Sequence, residues 1–310
     1  MAILIDPPLW PAHGTLWSHL VSDTSTAELH AFARRLGIPR RSFDLDHYDV
    51  PAALHPRAVA LGARAVGSRD VVHQLRAAGL RIRQADRAAA RPLFRREYLV
   101  AEWTGLGAAL GHGNTAPLPW LELGESLLAR WNEPHRAYHD ERHLEDVLLA
   151  LDHLSVRGER PGPATLLAAW FHDAVYTGTA GADEHASAEF AVHALTESGV
   201  DHSLAQQAGA LVLATVPAGG AAAPASAAHL LDADLAIFAA SSTRYDEYTV
   251  AVRREYAHVS ESDFRAGRSR ILTAYLAQPT IYRTATAREL WEARARANVQ
   301  RELAALTTET

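Results

Sequence analysis

From about residue 119 to residue 306, apolar residues recur at three- and four-residue spacing, as at Leu144, Val147, Leu148 and Leu151. That period lines one face of an α-helix, whereas a strand repeats every second residue, so this stretch is constrained to a helical scaffold. Helices are predicted near Leu121–Trp131, Arg142–Leu154, Ala164–His172, Glu184–Thr196, Ser203–Thr215 and Ala227–Ala239. Three more are predicted near Arg244–His258, Ser260–Leu276 and Thr286–Leu306. The Gly/Ala/Pro stretch Pro217–Ser226 reads as a mobile loop between two of them.

The preceding residues follow another pattern. Ala2–Ile5 is a short β-type run ended by Asp6-Pro7-Pro8. Ser25-x-x-Glu28 is a capping box for a helix that Gly37 and Pro39 end. Ser68 can cap a second helix, Arg69–Ala78, closed by Gly79, and Leu80-Arg-Ile-Arg83 alternates like a strand. The expected organisation is two domains: a small α/β domain over residues 1–98 and an all-α helical bundle over residues 119–310. A linker over residues 99–118 separates them, marked by the Gly, Pro and Asn of Trp103–Pro119. Charge divides at a similar place: residues 1–96 carry a balance of +6 and residues 97–310 one of −12, which gives the net −6.

Composition removes several chemistries. The chain has no cysteine, which excludes disulfides, thiolate metal sites and a cysteine nucleophile. It has no lysine either, so all 30 basic residues are arginines, and a P-loop or Schiff-base mechanism is excluded. The first residues carry a charge inside their apolar stretch and no basic region, so no signal peptide is read there. No membrane span is expected, and the location expected is cytoplasmic. The acidic balance of the larger part disfavours nucleic acid as its partner; oligomerisation stays open. What remains abundant is histidine, with 17 residues, a side chain that binds metals and moves protons near neutral pH.

Four stretches of the helical part concentrate such groups. They are Tyr138-His-Asp-Glu-Arg-His143, Phe171-His-Asp173, Asp183-Glu-His185 and Asp232-Ala-Asp-Leu235. His139 and His143 are four apart, so on a helix both rings would project from one face. Two imidazoles and two carboxylates make a mixed N/O site suited to one Mn²⁺, Co²⁺, Ni²⁺, Fe²⁺, Zn²⁺ or Mg²⁺ ion. Such an ion polarises a phosphoryl oxygen and lowers the pKa of a bound water. Each stretch taken singly also reads as a salt bridge or a cap.

Taken together, these residues resemble the HD-domain superfamily of metal-dependent phosphohydrolases, in its bacterial predicted-phosphohydrolase branch, from about Pro119 to Leu306. The matching stretches are Arg136-Ala-Tyr-His139, His143-Leu-Glu, Phe171-His-Asp-Ala-Val-Tyr176, Asp183-Glu-His-Ala-Ser-Ala188 and Leu231-Asp-Ala-Asp-Leu235. Further ones are Tyr245-x-x-Tyr248, Val252-Arg-Arg-Glu-Tyr256, Gly267-Arg268, Glu289 and Ala293-Arg-Ala-Arg-Ala-Asn298. The resemblance implies metal ligands at His143, His172, Asp173 and Asp234, with Asp234 preferred over Asp232 for its Ala-Asp-Leu context. It implies a leaving-group acid at His139, for which a packed histidine is the competing role.

Some relatives place a glutamate three residues after the aspartate ligand; here Tyr176 stands there. Glu184 or Asp183 is then the acidic helper, unless each simply caps a helix. His185, His193 and His229 are available for a second metal, but one ion is favoured. Arg136, Arg253, Arg254 and Arg268 are candidates to hold phosphate, with ion pairs to Glu255 or neighbouring acids as the plain alternative. Tyr245, Tyr248 and Tyr256 either stack a base or pack helices.

The amino-terminal part resembles a small bacterial domain family of unknown function, through Asp6-Pro-Pro-Leu-Trp10, Leu16-Trp-Ser-His19 and Phe43-Asp-x-Asp-His-Tyr-Asp49. Asp6, His13, His19, Asp23, Asp44, Asp46 and His47 are expected either to converge at the end of a short parallel sheet or to cap helices and turns. The function expected from the whole is metal-dependent hydrolysis of a phosphate ester, such as a nucleotide or related small phosphoester. An HD-type di-iron oxygenase and a non-catalytic ligand- or partner-binding module are the rivals.

Overall fold

A computed structural model of the chain describes residues 2–12, 14–112, 118–216 and 224–308. The chain divides into two compact units, Met1–Glu97 with Val156–Gly158, and Tyr98–Ser155 with Glu159–Thr310. The first is a small α/β unit and the second is mostly helical.

In the amino-terminal unit the strands are β1 (Ile3–Ile5), β2 (Trp10–Ala12), β3 (Thr15–Ser22), β4 (Tyr48–Pro51) and β5 (Arg64–Ala65). Helices α1 (Thr26–Leu36), α2 (His55–Ala60) and α3 (Ser68–Ala77) lie between and after them. β3 is the hub of the five-stranded sheet and pairs antiparallel with β1, β2 and β4; β5 pairs parallel with β1. The sheet is therefore mixed rather than parallel as expected, because β3 and β4 return alongside their neighbours.

Strand alternation sorts the core. Ile3, Ile5, Leu20, Tyr48 and Val50 pack with Leu29, Phe32 and Leu36 of α1, while Leu4 and Val21 pack with Val71 and Leu75 of α3. Ser25 caps α1 by accepting from Glu28 N–H, and Gly37 closes it at φ 82°, a left-handed conformation glycine adopts without strain. The carboxylate of Glu28 does not complete the capping box; it accepts from the Ser22 hydroxyl. Ser68 is the first residue of α3 rather than its cap, a place Gly67 takes. The strand expected at Leu80–Arg83 does not form. Instead Ile82 N–H and Arg81 donate to the buried Asp46, an end-on carboxylate that replaces a sheet partner.

The linker expected over residues 99–118 also departs from expectation. Helix α4 (Arg87–Gly107) runs through its first half despite Pro92, a π-type turn follows over Ala108–His112, and α5 (Leu118–Trp131) begins at its end. Trp103, expected at the boundary, is buried against Trp120. The two indoles stack at 4.1 Å and 6°, and each Nε1–H donates to the other's backbone carbonyl. A Cβ at Gly107 would come within 2.5 Å of Trp120, and one at Gly124 within 2.4 Å of Trp103. Glycine is thus required where each indole lies on the opposite helix.

The remaining helices are α6 (Glu141–Val156), α7 (Pro163–Phe171), α8 (Ala182–Glu197), α9 (His202–Leu213) and α10 (Ala228–Asp234). After a 3-10 turn at Leu235–Ala239 come α11 (Ser242–Glu255), α12 (Glu261–Ala277) and α13 (Ala285–Thr308). Asp201, Ser241 and Ser260 cap α9, α11 and α12 through their side chains. Trp120, Trp131, Trp170, Phe171, Tyr245 and Tyr282 are fully buried in this unit. Of the loop expected at Pro217–Ser226, residues 217–223 lie outside the described residues, and Ala225 and Ser226 belong to a 3-10 turn. Among the described residues, no helix is long and apolar enough to cross a membrane.

Candidate metal centre

Three helix ends of the second unit deliver four side chains to one point. His143 is the third residue of α6, its helix begun by Asp140, whose Oδ1 accepts from the N–H groups of Arg142 and His143. His172 and Asp173 follow the last residue of α7, a helix whose residues Leu167–Phe171 are fully buried and so hold the pair firmly. Asp234 ends α10. His143 Nε2 lies 3.1 Å from His172 Nε2, 3.2 Å from Asp234 Oδ1 and 3.7 Å from Asp173 Oδ2. His172 Nε2 is 3.1 Å from Asp173 Oδ2 and 3.8 Å from Asp234 Oδ1. The imidazoles are buried and the carboxylates stand on the open side.

This donor set suits a divalent cation. His172 Nδ1–H donates to the Ala169 carbonyl at 2.9 Å, which turns Nε2 towards the cluster, as in metal-ligating histidines. One donor atom from each of His143, His172 and Asp234 lies within 4.8 Å of the other two, and the Asp173 carboxylate adjoins both histidines. Burial by itself would lower the pKa of His172, but the adjoining Asp173 and Asp234 carboxylates outweigh it and raise it to about 9. Burial would raise Asp173, yet the charge and hydrogen bond of His172 hold it well below the usual carboxylate range. The pocket thus favours positive charge. Asp232 takes no part: it is fully buried and accepts the backbone N–H groups of Arg283 and Thr284, each at 2.7 Å.

His139 is not on the helix of His143, contrary to the i,i+4 expectation, because α6 starts only at Glu141. The two rings are still 5.6 Å apart. What holds His139 is Glu255, the last residue of α11. Its Oε1 accepts from the N–H groups of Ala137, Tyr138 and His139 at 2.7, 2.8 and 3.0 Å. Its Oε2 accepts from His139 Nδ1 at 2.7 Å and from the Tyr176 hydroxyl at 2.9 Å. Tyr176 also stacks on His139, with centroids 4.3 Å apart. Burial opposes the charge on both partners, but their contact prevails: the His139 pKa is raised and that of Glu255 lowered to about 2. In the sequence Glu255 figures within Val252-Arg-Arg-Glu-Tyr256 and as a partner for arginines, and nothing in spacing links it to residues more than a hundred positions earlier.

The arginines and the acidic helper depart most from expectation. Arg136 is buried and makes four hydrogen bonds inside the protein, to Glu133 and to the carbonyls of His139, Asp173 and Ala174, with an ion pair to Glu133. It therefore positions the residues around the cluster rather than offering itself to a ligand. Arg253 binds Glu261 and the carbonyls of Tyr256 and Val259, closing the turn after α11. Arg268 is held by Glu302 and the Tyr248 hydroxyl. Arg254 is different: it is exposed, has no hydrogen-bond or ion-pair partner among the described residues, and lines an open surface hollow with Ala137, Val250, Ala251 and the acids Asp246 and Glu247.

Glu184 accepts from Gly181 N–H at 2.5 Å as part of the α8 cap, and Asp183 accepts from Thr177 and Thr179. Those bonds are the local needs of a helix start and leave neither acid aimed at the cluster. His185 bonds the Gly181 carbonyl and His229 bonds Glu159, so neither extends the set of donors. Tyr245 binds Glu302 and Tyr248 binds Arg268, in keeping with packing roles.

Among known proteins, residues 3–78 match a family described as Protein of unknown function (DUF4031). This agrees with the resemblance drawn from the amino-terminal residues. No curated protein and no solved structure matches the chain.

Proposed function

We propose that the second unit is a metal-dependent phosphohydrolase of the HD type, acting on a nucleotide or related small phosphoester. The observation that carries this reading is the convergence of His143, His172, Asp173 and Asp234 beside a histidine held by a buried carboxylate. Those four residues would hold one divalent ion, which when bound supplies Lewis acidity to a phosphoryl oxygen and acidity to a coordinated water.

The chain's own part follows from its hydrogen bonds. Glu255 accepts a 2.7 Å hydrogen bond from His139 Nδ1–H, so the imidazole keeps its orientation and, when protonated, its Nε2–H is available to a leaving oxygen. The same carboxylate favours the protonated ring, the form a general acid must start from. Tyr176 covers the other side of the ring and keeps water from competing for it. Arg136 ties the carbonyls of His139 and Asp173 to one guanidinium and so couples acid and ligand in space. Arg136, Arg253 and Arg268 are engaged inside the protein, whereas Arg254 stands at the surface in a hollow it shares with Asp246 and Glu247.

The test is phosphate release from a nucleotide and phosphoester panel, using metal-stripped protein supplied with Mn²⁺, Co²⁺, Mg²⁺ or Fe²⁺. Asp173→Ala, checked for folding, is the control. Turnover that needs metal and vanishes in the control is the expected result. Absence of turnover with every metal refutes the reading and turns attention to oxygen consumption with iron and to ligand binding without turnover.

A further inference from the structure

The amino-terminal unit builds a second constellation of the same general chemistry, which the proposed hydrolysis does not use. His19 on β3 and Asp49 on β4 are directly opposite in the strand register, so their side chains leave the sheet on one face. His47 immediately precedes β4, and its ring centroid lies 5.0 Å from that of His19. One donor atom from each of His19, His47 and Asp49 falls within 4.8 Å of the other two. His47 Nε2 is 3.6 Å from Asp49 Oδ1. Ligands sharing one ion through bonds of about 2 Å stand roughly 3–4 Å apart, so only small side-chain rotations separate this arrangement from a coordination sphere.

The surroundings of the two histidines make this more than a chance meeting of polar groups. Each ring has its Nδ1 bound to a fully buried carboxylate: His19 to Asp6 at 3.0 Å and His47 to Asp46 at 2.7 Å. Those bonds set both tautomers so that Nε2 is the nitrogen left for a ligand, the carboxylate–histidine pairing that orients metal-binding imidazoles. The carboxylates are themselves fixed. Asp6 accepts from the His19 N–H at 2.5 Å, and Asp46 accepts from Ile82 N–H and Arg81 at 2.9 and 2.8 Å.

Backbone is strained at the same place. Leu45, between Asp44 and Asp46, has φ 64°, the one positive φ outside glycine among the described residues. A left-handed conformation is disfavoured for leucine, and here it lies in the turn that leads into Asp46, bound to His47 and Ile82, and into His47, which meets His19 of β3. Such strain persists where the surroundings over-determine it. The neighbouring groups fall outside the constellation: Asp23 bonds Ala2 N–H and Thr24, Asp44 pairs with Arg87 and Arg91, and His13 lies outside the described residues.

We propose that His19, His47 and Asp49 form a divalent-metal site of the amino-terminal unit, with Asp6 and Asp46 as the carboxylates that orient its histidines. Two imidazole nitrogens and one carboxylate oxygen suit Zn²⁺ first, and Co²⁺ as its spectroscopic substitute. Three protein donors leave a coordination position for water or the oxygen of an anionic ligand. The side that position faces is open, since the His19 side chain is partly exposed and that of Asp49 about half exposed. Trp10, itself exposed, stands beside it with its ring centroid 5.3 Å from that of His19.

The site is tested in the full chain with the other cluster disabled. A His143→Ala/His172→Ala chain, stripped of metal, is titrated with Co²⁺ and followed by visible absorption, and its Zn²⁺ content is counted after equilibrium dialysis. One ion per chain is expected, with a Co²⁺ band of low-symmetry nitrogen–oxygen coordination. Adding His19→Ala/His47→Ala should remove it. Adding Asp49→Asn instead, at a half-exposed position that leaves folding intact, should weaken Co²⁺ at least ten-fold. Asp6→Asn should weaken it about 10–100-fold through the ring it orients. A His143→Ala/His172→Ala chain that binds no ion overturns the proposal, and so does binding that Asp49→Asn leaves unchanged.

Discussion

Replacing Glu255 by glutamine changes a single oxygen to nitrogen, yet it should cost the helical unit a large part of its stability. The carboxylate accepts five hydrogen bonds from three backbone N–H groups, an imidazole and a phenol, while its side chain is only 2% exposed. An amide accepts through one oxygen only. If that oxygen stays with the backbone groups, the NH₂ faces the Nδ1–H of His139 and the Tyr176 hydroxyl, donor against donor. The size follows from the shift of the carboxyl from 4.5 to about 2, worth about 3 kcal/mol at neutral pH. Breaking a buried charge pair by removing one partner costs about 3–5 kcal/mol, which agrees.

The sign of the pH dependence is determined by the same shift. A carboxyl whose folded pKa is depressed contributes stability above its unfolded pKa and loses it as pH falls through the folded one. The gap between wild type and Glu255→Gln should therefore be full at pH 7 and shrink between about pH 4.5 and pH 2. Urea denaturation of both chains, followed by helical circular dichroism at a series of pH values, measures it. At neutral pH the thermal midpoint should fall by about 6–12 °C. Equal stabilities at pH 7, or a gap that acid does not narrow, would refute the reasoning.

Three other outcomes follow from particular contacts. Arg136→Lys should lose about 2–4 kcal/mol in urea denaturation, because the carbonyls of His139, Asp173 and Ala174 lose donors; a change in KM alone, with stability intact, would return Arg136 to a substrate-binding role. His30 is held neutral, its pKa pushed down to about 3 by burial and by the charges of Arg40 and Arg34, so the unfolded chain takes up its proton first. Stability of the amino-terminal unit should be full above about pH 6.5 and decline as pH falls towards 3, and His30→Phe should flatten that decline in denaturation curves between pH 7.5 and 4. Gly124→Ala forces a methyl against the Trp103 indole and should cost about 1–3 kcal/mol, with a loss of near-ultraviolet circular dichroism from the tryptophans.

The helices beyond residue 118 were legible because their signal, apolar residues at three- and four-residue spacing, is local. The residues that meet at His143 were legible as types and contexts: His172-Asp173 ends an apolar run and Asp234 sits within apolar sequence. The errors share a physical origin in distance. Leu80–Arg83 alternates like a strand, but the N–H groups of Leu80 and Arg81 go to the Leu75 carbonyl and that of Ile82 to Asp46, 36 residues away in sequence. The arginines carry charge suited to phosphate, but carbonyls and acids elsewhere in the fold use up their donors. Glu255 meets His139 across 116 positions, and no period or spacing encodes such a meeting. Gly105 and Gly107 suggested a linker, yet both lie within α4, where Gly107 is required by the Trp120 indole.

The tryptophan clasp between α4 and α5 carries a consequence for descent. Trp103 lies on Gly124 and Trp120 on Gly107, so the two contacts are separate lock-and-key pairs joined only by the stacking of their indoles. A glycine can gain a side chain only where its facing indole has already shrunk, and an indole can arise only where the opposite position is bare. Drift at these four positions should therefore proceed in couples, Gly107 with Trp120 and Gly124 with Trp103. In homologous chains the joint change of a couple should be found far more often than either half alone.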